Sequence, residues 1–132
     1  MIVPSFCFVS TALAFQNKGF ELKFAEADQA TLSGSISDIY SLINENTAAV
    51  VWIHYAGAVA PGFEQLLDYC NSKGVLLIED AALGFARTHA NKSLGNFGSA
   101  AIFSFDITKP FSAIQGGLLV LNKPDWVPFA DQ

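Results

Sequence analysis

The 132-residue chain is short of charge, and shortest of arginine. Charged residues make up 14% of it, against about 25% in an average globular protein, and Arg87 is the single arginine among seven basic residues. Twelve acidic residues outnumber them, for a net charge of −5. A chain so poor in basic groups has no stripe with which to neutralise phosphates, so nucleic acid is excluded as an expected partner. Cysteine is scarce too. Cys7 and Cys70 form no Cys-x-x-Cys pair, which points to two core thiols in a reducing, cytoplasmic compartment rather than a disulfide framework or a zinc site. His54 and His89 have no ligand-like spacing with each other or with cysteine. The glycine fingerprints of dinucleotide and P-loop sites are missing. The most apolar window, Ala48 to Phe63, is interrupted by His54, two glycines and Pro61 and falls short of the roughly 20 residues of a membrane span. Met1-Ile2-Val3-Pro4 lacks the basic start of a signal peptide and reads as a strand already under way. That start, and an end at Asp131-Gln132 soon after a strand, suggest a chain cut from something longer.

What the chain has in abundance is apolar residues, 52% of the total, which excludes disorder and predicts one core in one domain. Continuous apolar runs recur at 49–54, 75–78, 100–105 and 118–121. Their lack of alternation predicts strands covered on both faces, as in a parallel sheet between helices. Ile36, Ile39, Tyr40 and Ile43 carry helical spacing, with Ser35 and Asp38 as a helix start. Phe63, Leu66, Leu67 and Cys70 repeat it, with Pro61 before and Gly74 just past the end. Further strands are expected at Met1–Val3 and Phe20–Phe24, with a helix over Ser10–Lys18 closed by Gly19. His54, Asp80 and Phe105 lie about 25 residues apart, the length of a strand plus its crossover to a parallel neighbour. The gap before the last run is too short for a helical crossover, so an antiparallel final strand is expected. A doubly wound α/β layer follows.

Ligands of such sheets bind beyond the carboxyl ends of the strands, which directs attention to His54, Glu79-Asp80, Ser104 to Asp106 and Lys109. Asp80 ends an apolar strand and precedes two alanines that let a flat ligand approach. Its carboxylate suits a heterocyclic nitrogen, a ribose or a metal, or else simply caps a turn. Glu79 points to the opposite face and reads as structural. Lys109 could pair with a phosphate or attack a carbonyl to form a Schiff base, or it could be a solvated surface lysine. Gly116-Gly117 fits a tight turn or a close ligand approach. His54, Tyr55, Phe6 and Phe15 read first as core.

Six motifs occur in a set order: Pro4-Ser5-Phe6-Cys7-Phe8-Val9-Ser10-Thr11-Ala12, His54-Tyr55-Ala56-Gly57, Glu79-Asp80-Ala81-Ala82, Leu94-Gly95-x-x-Gly98, Phe103-Ser104-Phe105-x-x-Thr108-Lys109 and Gly116-Gly117. In order and spacing they resemble the DegT/DnrJ/EryC1/StrS aminotransferases, sugar aminotransferases of the fold-type I pyridoxal-phosphate class. The resemblance implies a three-layer α/β/α large domain with a mostly parallel sheet. It also implies pyridoxal 5'-phosphate as cofactor, glutamate as amino donor and a nucleotide-linked keto sugar as acceptor, in surface polysaccharide or amino-sugar biosynthesis. By the same resemblance Lys109 is the Schiff-base lysine, Asp80 the carboxylate on the pyridine nitrogen, Phe8 the aromatic stacked on the ring, and Ser104 a hydroxyl on the phosphate. A homodimer is implied, since the family's active sites lie between two subunits. Residues 1–132 would be part of the large, cofactor-binding domain, without an N-terminal phosphate-loop segment or a C-terminal small domain, and turnover by the 132 residues alone is not expected. The chain departs from the family pattern at Leu83, where Gln or His is usual, at Pro110 and at Gln115. These departures leave open a non-catalytic member of the same fold that serves as a binding or assembly module. A generic nucleotide-binding α/β domain is a third reading.

Overall fold

The computed structural model describes residues 1–129; Asp131-Gln132, part of the expectation of a cut chain, lie outside them. Among the described residues, eight strands and three α-helices follow one another, the helices lying only between the first four strands. They are β1 (Ile2–Pro4), α1 (Val9–Gln16), β2 (Lys23–Ala25), α2 (Ile36–Leu42), β3 (Ala49–Ile53), α3 (Phe63–Lys73), β4 (Leu76–Asp80), β5 (Thr88–His89), β6 (Lys92–Ser93), β7 (Ala100–Ser104) and β8 (Gly117–Leu121). Six strands form one sheet in the order β2-β1-β3-β4-β7-β8. All its pairs are parallel except β7 with β8, where Ala100 to Ser104 run antiparallel to Leu121 to Gly117. The three-layer α/β arrangement, the parallel sheet and the antiparallel last strand are those expected from the apolar runs and the short final connection. Among the described residues no helix is long and apolar enough to cross a membrane.

Strand alternation divides the core. Ile2, Val50, Trp52 and Leu77 point to one face and pack against Ile39 of α2 and Phe63, Leu66 and Cys70 of α3. Helix α2 begins at its Ser35 signal, and α3 ends at its Gly74 signal. Ser35 Oγ accepts the Asp38 N–H at 3.5 Å, and α3 closes at Gly74, whose φ of 68° turns the chain so that the Val75 N–H reaches the Cys70 carbonyl at 2.9 Å. Two predicted boundaries move. The first helix stops at Gln16, because the chain tightens into a turn in which the Gly19 N–H bonds the Gln16 carbonyl. The second strand begins only at Lys23, where pairing with Ile2 starts. The β5–β6 hairpin was not predicted. It turns through Ala90 and Asn91, both at positive φ, and its four strand residues are too few and too polar to leave a periodic trace.

Glu79 faces the helix-covered side and is fully buried. Its Oε1 accepts the N–H groups of Phe97 and Gly98, both at 2.7 Å, and its Oε2 accepts the Gly95 N–H at 3.0 Å and His54 Nε2 at 2.9 Å. Four donors on one carboxylate tie β3, β4 and the 95–98 turn together. A Cβ at Gly98 would lie 2.5 Å from the Leu77 carbonyl oxygen, so only glycine lets this turn press against β4. Asn122 fastens the turn from the other side, donating through Nδ2 to the carbonyls of Gly95 and Gly98. Burial alone would raise the Glu79 pKa, but the His54 imidazole and the Gly98 and Gly95 amides outweigh it and hold the carboxyl below its ordinary range.

Phe85 is the hub of a second cluster. Its ring lies 5.8 Å from Phe103, 5.0 Å from Phe105 and 4.9 Å from Phe111, centroid to centroid. The last two belong to the loop between β7 and β8, so the cluster holds that loop against the turn that follows β4.

Two predictions follow from these anchors. Because the Glu79 pKa is lower in the folded chain, its contribution to stability is complete above the ordinary value of 4.5 and is lost as the pH falls below it through the folded-state value. Glu79→Gln should therefore lower the urea midpoint at pH 7 by the equivalent of about 2 kcal/mol or more and flatten the acid limb of the stability profile. Phe85→Ala should cost about 2 kcal/mol and speed amide hydrogen exchange at Ala113, whose N–H bonds the Phe105 carbonyl at 2.9 Å; unchanged exchange there would contradict the anchoring role.

Candidate active site

The face opposite Glu79 carries Asp80. Consecutive strand residues point to opposite sides of the sheet, so the two acids at the end of β4 serve two different places. Asp80 is buried, and both its oxygens are held. Oδ2 accepts the Thr11 hydroxyl of α1 at 2.8 Å and Oδ1 accepts the Ala82 N–H at 3.1 Å. The carboxylate borders a two-lobed cleft at the carboxyl ends of β3, β4 and β7. One lobe, about 280 Å³, is walled mainly by apolar groups, among them Phe6, Phe8, Tyr55 and Leu83. The other, about 530 Å³, is lined by the hydroxyl residues Ser10, Thr11, Ser104 and Thr108 together with Gln115. Phe8, Asp80, Ala82 and Lys109 border both.

Lys109 sits in the loop between β7 and β8, half-buried, with its N–H on the Asp106 carbonyl at 2.9 Å. Its Nζ lies 6.0 Å from the centre of the Phe8 ring. That ring is 73% exposed, so one face is open to the cleft mouth. Asp106 shapes the loop by accepting the Thr108 N–H at 3.0 Å and its hydroxyl at 2.8 Å. These two bonds, and then the Lys109 ammonium, hold the Asp106 carboxyl below its ordinary range. Ser104 ends β7 and lines the polar lobe, where its Oγ accepts the Asp106 N–H at 3.3 Å.

The four residues singled out by resemblance, Phe8, Asp80, Ser104 and Lys109, thus border one cleft, three of them on both lobes and Ser104 on the polar one. His54 borders the apolar lobe, yet its side chain is fully buried and its Nε2 is engaged by Glu79, in keeping with a core histidine. Two features of the site were out of reach of sequence reasoning. Thr11 lies within the first ordered motif, Pro4 to Ala12, but nothing in its spacing shows that it meets Asp80, 69 residues away. Cys7 also lines the apolar lobe; burial, and then the Asp80 charge, push its thiol pKa up, so it is a poor nucleophile.

Known proteins share this sequence and fold. The chain is 33% identical over 126 residues to a dTDP-4-dehydro-2,3,6-trideoxy-D-glucose 4-aminotransferase of Saccharopolyspora spinosa, covering 95% of this chain and 32% of that protein. Among solved structures, Helicobacter pylori PseC, an aminotransferase involved in the biosynthesis of pseudoaminic acid, superposes with a TM-score of 0.85 at 28% identity, covering 94% of this chain and 33% of that one. A GDP-4-keto-6-deoxymannose-3-dehydratase solved with a trapped PLP-glutamate geminal diamine superposes with a TM-score of 0.84 at 25% identity, covering 92% and 31%. The chain therefore spans about a third of the length of the curated relatives it matches. Residues 1–129 match the model of the DegT/DnrJ/EryC1/StrS aminotransferase family, and the chain belongs to that family.

Proposed function

We propose that this chain is part of the cofactor-binding domain of a pyridoxal-phosphate aminotransferase that transfers an amino group from glutamate to a nucleotide-linked keto sugar. The observation that carries the reading is that Asp80 and Lys109, from separate elements, border the same cleft beside an aromatic ring. The donor set suits pyridoxal phosphate. An apolar lobe fits an aromatic ring, a held carboxylate fits a ring nitrogen that carries a proton, a primary amine fits an aldehyde, and a lobe rich in hydroxyls fits a phosphate. When bound, that cofactor supplies an electron-withdrawing ring that stabilises the negative charge left when a proton departs from the neighbouring carbon.

The chain's own residues have distinct tasks. Asp80 accepts a hydrogen bond from the ring nitrogen and keeps the proton there. Lys109 offers Nζ as covalent anchor and, when free, as the group that takes up and returns a proton. Phe8 covers one face of the ring and keeps water from it. Ser104 donates its hydroxyl to the phosphate. A nucleotide-linked sugar as substrate is supported by the dTDP- and GDP-sugar enzymes among the relatives, and glutamate as donor by the PLP-glutamate geminal diamine trapped in one of the similar structures. A homodimer is supported by Ile107 and Ile114, which stand well exposed on the loop that carries Lys109. Two unpaired cysteines, with the Cys70 pKa pushed up to about 11 by burial, support a reducing, cytoplasmic setting.

A second reading, a non-catalytic binding or assembly module of the same fold, is favoured by Leu83, whose apolar side chain lines the cleft beside Asp80. Covalent capture is a fitting readout for a chain that spans a third of its relatives. On mixing with pyridoxal phosphate, a visible absorbance band should develop, and borohydride should fix the cofactor to Lys109 as a stable adduct seen by peptide mass spectrometry. Lys109→Ala should abolish the adduct. Absence of both band and label in the unaltered chain refutes cofactor binding, whereas capture without amino transfer from glutamate to a keto sugar nucleotide is the outcome expected of the second reading.

A further inference from the structure

Helix α1 is an apolar segment that buries almost nothing. Val9 and Leu13 stand in solvent, and the one buried residue in it is Thr11, at 6% exposure. A buried position on such a helix would gain more from an aliphatic side chain than from threonine, which is also a weaker helix former. The hydroxyl has a specific use instead. Thr11 Oγ1 donates to Asp80 Oδ2 at 2.8 Å, a charge-assisted bond between elements 69 residues apart. The other oxygen, Oδ1, accepts the Ala82 N–H at 3.1 Å. A carboxylate has about four acceptor positions, and one on each oxygen is taken from within the protein. With α1 gripping one oxygen and the turn after β4 the other, the plane of the group is held against rotation at the place where it borders the cleft.

We propose that Thr11 is a positioning residue, which acts through Asp80 by fixing the carboxylate plane in the orientation that a protonated ring nitrogen requires. The inference rests on the pyridoxal-phosphate reading of the cleft and deepens it. The hydroxyl donates its hydrogen bond to Asp80 and so sets the direction from which Asp80 meets the ring.

The test compares the unaltered chain with Thr11→Val, which keeps the shape and loses the hydroxyl, and Thr11→Ser, which keeps the hydroxyl. Each is titrated with pyridoxal phosphate, followed by the absorbance of the bound cofactor and by the fraction of Lys109 fixed by borohydride; cofactor-free thermal midpoints are recorded alongside. Thr11→Val should weaken binding about ten- to a hundredfold, the range spanned by a hydrogen bond to a charged group, and should shift the pH at which the bound-cofactor band changes. Thr11→Ser should stay within about threefold of the unaltered chain. In an Asp80→Asn background the Thr11→Val change should add little further loss, because the two act as one unit. If Thr11→Val does not fold, Thr11→Ala and the Asp80→Asn background carry the same comparison. Equal binding by Thr11→Val and the unaltered chain overturns the proposal. So does equal impairment of the Val and Ser variants, or a lower thermal midpoint with unchanged affinity and spectrum, which marks a structural role alone. Failure of the unaltered chain to bind overturns the cofactor reading itself, and is told apart because it precedes any comparison of variants.

Discussion

Everything in this molecule turns on the last two residues of β4. Glu79 and Asp80 are adjacent acids in a strand, and strand geometry sends them to opposite faces. Glu79 goes into the helix-covered side, where a bare carboxylate would be costly, and the fold surrounds it with four donors. Those donors come from the end of β3 and from the 95–98 turn, so the same interaction that satisfies the charge also sets where β7 begins. Asp80 goes to the other side with two donors and keeps acceptor positions open to the cleft. One acid is saturated and closes the structure; its neighbour is half-satisfied and opens it to chemistry.

Lys109 reaches this carboxylate by a different route. It lies on an irregular loop, and loops position side chains well only when something holds them. Two devices do so: the Asp106 carboxylate, which takes both donors of Thr108, and the aromatic cluster around Phe85. The cluster joins the Lys109 loop to the turn that directly follows Asp80. The two ends of the candidate site are thereby coupled mechanically through packing rather than through a direct bond.

Much of the fold was legible because its signals are physical and local. The unbroken runs at β3, β4 and β7 read as doubly covered strands, since a strand buried on both faces has no polar residue to alternate with. Ser35 and Gly74 bracketed α2 and α3 because a cap depends on neighbours a few residues away. The hairpin of β5 and β6 was not legible, being short, polar and turned through an alanine at positive φ that no propensity favours. In the site, Asp80 stood out by ending a strand and Lys109 by closely following one, and the resemblance added Phe8 and Ser104. Thr11 was illegible because its partner is set by the packing of α1 across the sheet.

By itself, then, the sequence determined the layers, the parallel order, the antiparallel last strand and which acids and lysine stand at the carboxyl edge, since each depends on periodicity or on residues close along the chain. Only the tertiary structure decided which groups meet: His54 with Glu79, Thr11 with Asp80, Phe85 with Phe105 and Phe111. Such pairings depend on how separate elements dock, and a hydrogen bond of 2.8 Å leaves no trace in the spacing of residues 69 positions apart.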